Sequence, residues 1–266
     1  MLAYQVGLRF TPDRGPVRLR ELTGFEERSV IDGSTASAIR LLDELLLPLE
    51  DGGLHRGQVA ELPAADRDRL LVAVFQSAYG ERVEGTVRCA KCDNLFDLSF
   101  SLPDLAASLE AGREPEGIEA LPDGTFRLGD GRRFRLPAGR DECAIAGLRG
   151  QEAESALLDR CRVEGEAALD PAEFQRLAER IAPVLDLDLD AACPECGSPQ
   201  RFGFDIQSYL LNAIIQERNR LASEVHRLAT AYGWGLGEIL SLSRTERRAL
   251  VGLAETEMAR RGRSWP

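Results

Sequence analysis

Four of the six cysteines fall in two Cys-x-x-Cys pairs, Cys89-Ala-Lys-Cys92 and Cys193-Pro-Glu-Cys196. Two such dithiols are the ligand set of a structural zinc site, with four thiolates in a tetrahedron at ~2.3 Å from the ion. A catalytic zinc keeps one position open and usually takes His or carboxylate ligands, and four thiolates leave no opening. A redox dithiol needs its first cysteine at the start of a helix in a βαβ unit, and neither pair directly precedes a helical pattern. The bland alternative is four buried free thiols. About a hundred residues separate the pairs, against roughly 15–20 in ordinary ribbons. A zinc site therefore requires the flanks of both pairs to match.

The flanks do match. Residues 82–88 precede the first pair as a strand-like stretch, and Leu95-Phe-Asp-Leu-Ser-Phe100 follows it with period two. Val184-Leu-Asp-Leu-Asp-Leu-Asp190 precedes the second pair with the same period, and Arg201-Phe-Gly-Phe-Asp-Ile206 follows it. Each pair is thus expected as strand, knuckle, strand, followed by a helix, an internal repeat of one hairpin. Two facing knuckles would place Cys89, Cys92, Cys193 and Cys196 around one zinc per chain, and residues between them become an insertion. Cys143 and Cys161 stand apart on what reads as a single helix, 141–162, and are expected as small apolar core fillers.

The remaining elements serve that junction. A weak edge strand is expected over 1–10. Ser34 opens a helix running to about 48, and Pro63 one that ends at Gly80. Residues 110–119 read as a loop, and 125–136 as a hairpin in which Phe126 and Leu128 face Phe134 and Leu136. Asp170-Pro171-Ala-Glu173 is a capping-box pattern with proline at the first helical position. The longest helix is expected from Gln207 to Gly233, its apolar stripe interrupted by Arg218. Trp234 then leads into a short helix, and Ser243-Arg-Thr-Glu246 caps the last one. The expected fold is α+β, mostly helical, around a discontinuous four-cysteine zinc ribbon of two β-hairpin knuckles with an inserted helical lobe. Its parts are an N-terminal helical part (1–84), a first knuckle (85–103), the inserted lobe (104–183), a second knuckle (184–206) and C-terminal helices (207–266).

Composition narrows the function. The chain has 266 residues, 44% apolar and 29% charged, with a net charge of −11, which is globular and a poor match for nucleic acid or an anionic membrane surface. From Glu217 onward the balance is +3, ending in Arg260, Arg261 and Arg263, a tail more often solvated than gripping a partner. No apolar run approaches the ~18–20 residues of a membrane span. The opening Met-Leu-Ala-Tyr-Gln-Val-Gly lacks the marks of a signal peptide, so a cytoplasmic, thiol-preserving setting is expected. His55 and His226 have no nucleophile near them in sequence. Asp186, Asp188 and Asp190 share one strand face, which reads as solvated in preference to calcium-binding. Walker, nucleophile-elbow and zincin motifs are absent, and no enzymatic activity is expected. Tyr232, Trp234, Arg247 and Arg248 are candidate partner contacts, since aromatics and arginines dominate interface hot spots, while Trp234 reads more readily as a staple between two core helices.

The order of several segments resembles a known family. They are Leu19-Arg-Glu-Leu-Thr-Gly-Phe-Glu-Glu27, Leu62-Pro-Ala-Ala-Asp-Arg-Asp-Arg-Leu-Leu71, Ala78-Tyr-Gly-Glu-Arg82 into Val87-Arg-Cys-Ala-Lys-Cys-Asp93, Phe134-Arg-Leu-Pro-Ala-Gly-Arg-Asp141, Leu185 to Gly197, and Glu224-Val-His-Arg-Leu-Ala-Thr-Ala-Tyr-Gly-Trp234 into Ser243-Arg-Thr-Glu-Arg-Arg248. Over about 20–255 the chain is similar to baseplate hub assembly proteins of T-even-type contractile phage tails and to their relatives in contractile injection systems. It departs from that pattern at Thr230 and Ala231, where relatives carry bulkier residues. The resemblance implies a non-enzymatic assembly factor or minor baseplate component, binding a hub, spike or tape-measure protein. The alternative is a zinc-ribbon nucleic-acid or transcription adaptor, which would need a basic face and salt-dependent binding.

Overall fold

The computed structural model describes residues 3–11, 15–48, 53–110, 117–163 and 169–260. It is 51% helical, with small antiparallel sheets. The first elements are β1 (Ala3–Val6), β2 (Val17–Arg20), α1 (Gly24–Ser29), α2 (Thr35–Leu45), β3 (Leu46–Leu47), a 3-10 turn (Val59–Glu61), α3 (Ala64–Tyr79), β4 (Arg82–Arg88), β5 (Leu95–Ser101) and α4 (Leu102–Glu110). Then come β6 (Ile118–Ala120), β7 (Thr125–Leu128), β8 (Arg133–Arg135), α5 (Gly139–Ile145), α6 (Gln151–Cys161), α7 (Pro171–Ile181), β9 (Asp186–Ala192) and β10 (Pro199–Asp205). Four helices close the described chain: α8 (Ile206–Gln216), α9 (Arg218–Tyr232), α10 (Leu236–Leu240) and α11 (Arg244–Arg260).

Local chemistry sets most boundaries. The Ser34 hydroxyl accepts the Ser37 N–H at the start of α2, and Asp170 accepts the Glu173 N–H at the start of α7. Glu246 closes the expected box on Ser243. Three expectations are corrected. The helix expected over 141–162 is two helices, because the chain breaks between Ile145 and Gln151, where Gly150 takes φ +55°. That break leaves Cys143 exposed, while Cys161 alone is a core thiol, its pKa pushed up to about 12 by burial. The helix expected from Gln207 breaks at Glu217, between α8 and α9. Ile118 and Glu119, expected as loop, pair with β7 in a third strand that runs on to Ala120. Arg261 and Arg263 lie outside the described residues.

The elements recur in order. A strand pair (β1–β2, then β7–β8) leads to a short helix (α1, α5), an eleven-residue helix (α2, α6), a third helix (α3, α7), a hairpin (β4–β5, β9–β10) and a closing helix (α4, α8). Side-chain contacts recur with them. Arg20 holds Glu26 through two bonds of 2.9 and 2.6 Å, and Arg135 holds Asp141 through two of 2.6 and 2.9 Å. Each acid accepts the N–H of the residue three before it, Thr23 or Ala138. Arg20 also reaches the Glu44 carbonyl near the end of α2, and Arg135 the Arg160 carbonyl near the end of α6. Leu19 pairs with Leu46 just after α2, and Phe134 bridges Arg162 just after α6. In the first turn of α3, Asp66 accepts from Arg9, Phe10 and Thr11 in the link after β1. In the first turn of α7, Glu173 accepts from Arg132 in the β7–β8 link.

The C-terminal helices form a third, partial copy. α1 docks on the start of α11 as α5 docks on the start of α3. Thr23 bridges Ser243, and Ala138 bridges Pro63. The Arg244 N–H donates to Leu22 O, and the Ala64 N–H to Pro137 O. Arg247 binds Glu27, and Arg67 binds Glu142. Gly24 and Gly139 stand at the closest approaches, where a Cβ would come within 2.7 Å of Leu240 and 2.8 Å of Ile39.

The largest core joins α2, α3 and α8 through Leu41, Leu42, Leu70, Leu71, Leu210, Leu211 and Ile214. Each such side chain contributes roughly 1.5–3 kcal/mol on burial. A second core lies around the Phe126, Phe134 and Phe174 rings, at centroid distances of 5.8 Å. Between them Asp68 accepts the Leu185 N–H at 2.8 Å, and burial pushes its carboxyl up to about 7. An unfolded Asp titrates near ~3.9. The folded state therefore holds this proton more tightly, and the stability it brings is lost as pH rises from about 4 through 7. Asp68→Asn keeps an acceptor for Leu185. The variant is expected to melt above the native protein at pH 8 and to converge on it near pH 4. A difference in melting temperature that is flat across that range would show that Asp68 does not titrate there.

Candidate metal centre

The two hairpins match in register and in the hydrogen bonds at their tips. β4 pairs with β5 over seven residues, from Arg82↔Ser101 to Arg88↔Leu95, and β9 pairs with β10 over seven, from Asp186↔Asp205 to Ala192↔Pro199. At the first tip the Cys89 N–H donates to Asn94 O (2.9 Å) and the Asp93 N–H to Cys89 O (3.0 Å). At the second, the Cys193 N–H donates to Ser198 O (3.0 Å) and the Gly197 N–H to Cys193 O (2.9 Å). Both knuckles turn through a left-handed residue, Gly197 at φ 66° and Asp93 at φ 62°, the latter the one non-glycine with positive φ among the described residues.

The tips face each other. Cys89 Sγ lies 3.7 Å from Cys196 Sγ, and Cys92 Sγ lies 3.7 Å from Cys193 Sγ. All four sulfurs lie within 4.8 Å of one another. A disulfide needs ~2.05 Å, so these are four free thiols converging on one point. Cys89 and Cys193 are buried against Phe96, with Val87 and Ala191 packed beside them. The four sulfurs share protons unevenly: the N–H groups of Cys92 and Lys91 hold the Cys89 thiol down to about 6, while burial and the neighbouring sulfurs push Cys92 up to about 12. The cluster can hold one metal ion, with every ligand supplied by the chain.

Contacts outside the sulfurs fix the two arms. The Ala90 N–H donates to Gln200 Oε1 across the junction (2.9 Å). Phe100 and Phe204, equivalent residues of the two hairpins, meet edge to face at 5.1 Å and 89°. Tyr209 of α8 donates its hydroxyl to Glu84 O at 2.7 Å and so ties the second hairpin's helix to the first hairpin. Gln200, Phe100, Phe204 and Tyr209 were not singled out from the sequence. For the two phenylalanines the signal was present, since both occupy inward positions of period-two strands.

The other sequence candidates are scattered. Asp186, Asp188 and Asp190 are exposed, with Leu187 and Leu189 half-buried between them. His55 and His226 are exposed. Tyr232 and Trp234 stack at 5.0 Å at the end of α9, and Tyr232 is 37% exposed. Arg248 is half-buried and engages Glu217 and Glu224 at 3.2 Å each. Arg247 is corrected as a partner contact. It is wholly buried, with Nε on Glu224 and Nη2 on Glu27 at 2.7 Å each, so it faces the chain's own carboxylates. No helix among the described residues is long and apolar enough to cross a membrane. Searches against protein-family models, curated proteins and solved structures each gave no match.

Proposed function

We propose that the chain is a non-enzymatic assembly factor or minor component of the baseplate hub of a contractile phage tail, or of a related injection system, and that its four cysteines hold a structural zinc. The four-sulfur cluster is the observation that carries the reading. A zinc tetrahedron with bonds of ~2.3 Å has edges of about 3.8 Å, and the two cross-hairpin sulfur pairs lie at 3.7 Å. Four thiolates fill the ion's coordination, which suits a strut between hairpins and leaves no place for substrate. A strut supports a scaffold whose work is binding, and the order of the family-like segments over about 20–255 supports the kind of partner. The stacked Tyr232–Trp234 pair at the end of α9 is the proposed anchor for a hub, spike or tape-measure protein, and Arg248, which engages Glu217 and Glu224 nearer the start of that helix, is a separate proposed contact. Assembly would take place in the cytoplasm, with or without retention in the particle.

Affinity purification of the tagged chain from its native host, with mass spectrometry of the eluate and of purified tail-like particles, tests this. Hub, spike or tape-measure proteins are expected in the eluate. Presence in the particle means a structural component, and absence means a chaperone. An eluate of polymerase subunits and nucleic acid would overturn the assembly role in favour of the adaptor. A filter assay with DNA and RNA at low salt is expected to retain nothing, since a chain of charge −11 gains little from counterion release.

A further inference from the structure

The internal repeat exposes a groove where its first copy holds a helix. There α8, the closing helix of the second copy, lies across α2 and α3 of the first. Its Leu210, Leu211 and Ile214 share one core with Leu41, Leu42, Leu71 and Phe75, and Tyr209 meets the Phe75 ring at 5.5 Å. The corresponding face of the second copy is formed by α6 and α7. Counted from the first residue of each helix, Leu157 and Leu158 stand for Leu41 and Leu42, and Ala178 and Ala182 for Leu71 and Phe75. These four, with Phe174, line a groove of about 390 Å³, and no helix of the described chain fills it. Alanine in place of leucine and phenylalanine makes it deep. Among the described residues its charged lining groups are Glu154 and Glu179.

We propose that this groove docks an amphipathic helix of a partner protein, seated as α8 is seated on α2 and α3. The occupant presents apolar residues at i, i+1 and i+4, like Leu210, Leu211 and Ile214, and a basic residue toward Glu154 and Glu179. The groove rests on the repeat and not on the assembly role, so each can fail without the other.

The probe is a fluorescent peptide of the α8 sequence, Ile206–Gln216, with lysine replacing the exposed Asn212 and Gln216, titrated against the whole protein by anisotropy. Saturable binding is expected. Ala178→Leu and Ala182→Phe restore the side chains of the first copy. Each is expected to weaken binding about tenfold or more while leaving the melting temperature unchanged or higher, as filling a void does. Glu154→Lys, a surface change that spares the fold, is expected to weaken it as well. Absence of saturation, equal binding by Ala182→Phe, or a lower melting temperature in both alanine variants would overturn the docking site. A concentration-dependent dimer in light scattering that Ala182→Phe abolishes would assign the groove to a second copy of the chain and overturn the partner helix.

Discussion

Cys196→Ser is expected to lose the bound ion on dialysis against a chelator and to melt well below the native protein. The sulfurs that meet across the junction belong to residues 101 and 107 positions apart. Closing a loop of about 100 residues restricts the unfolded chain by roughly 4–5 kcal/mol in the chain-entropy account. Metal binding adds stability through linkage, because the unfolded chain holds no preformed site. A domain of this size shifts its melting temperature by roughly 2–4 °C per kcal/mol, so the expected fall is about 10 °C. Cys89→Ser should behave alike. Cys143→Ser is the control, since that thiol is exposed and away from the cluster, and it should change neither reading. The checks are metal content per chain and calorimetry. One ion per chain with an unchanged melting temperature in either ligand variant would mean that the four thiols are not the site.

Arg247→Ala is expected to cost roughly 3–5 kcal/mol, the usual penalty for removing one partner of a buried ion pair. The arginine joins three segments: α11, which carries it; α9, through Glu224; and α1, through Glu27. Truncation removes a 2.7 Å bond from each of two carboxylates in a nearly dry site, leaving Glu224 to Arg248 at 3.2 Å and Glu27 to Arg244 at 3.7 Å. Arg244, 3.7 Å from Glu27, is already engaged by Glu217 and packed over the Tyr79 ring at 4.1 Å, so it gives Glu27 a longer contact than the one lost. The damage should be local. Amide exchange is expected to speed up across α10 and α11 while the α2–α3–α8 core keeps its protection. Uniform loss of protection through both regions would show instead that the C-terminal copy is an integral part of the main core. Arg67→Ala, at the equivalent joint between α3 and α5, should loosen the second copy in the same manner.

The cysteine hairpins were legible because a two-residue period survives any context, and because cysteine spacing names its own partners. Caps at Ser34, Asp170 and Ser243 were legible for a similar reason: a short polar side chain beside a helix start acts within four residues. What escaped depends on distance. Arg247 reads as one of several arginines on a charged helix, and its burial follows from Glu27, 220 positions earlier. The helix break at Glu217 is hidden inside a continuous apolar stripe, because both halves have faces to bury. The repeat was half visible. The hairpins align without gaps, but the helices before them differ in length, and the segments Arg20 to Glu27 and Arg135 to Glu142 share little beyond the arginine, the glycine and the paired acids. Their kinship shows only when both arginines are seen closing on the same turn.

The wide separation of the two knuckles has a consequence during synthesis. At roughly 5–20 residues per second, the first dithiol leaves the ribosome about 5–20 seconds before the second. For that interval Cys89 and Cys92 are half a ligand set, able to hold an ion only weakly and open to oxidation. The wait ends at Cys196, and the next helix to emerge is α8, whose Leu210, Leu211 and Ile214 complete the principal core. Under the proposed zinc reading, ion capture and core closure would therefore fall within the same few seconds of translation, and the metal would seal the hairpin pair as the helix beneath it becomes available.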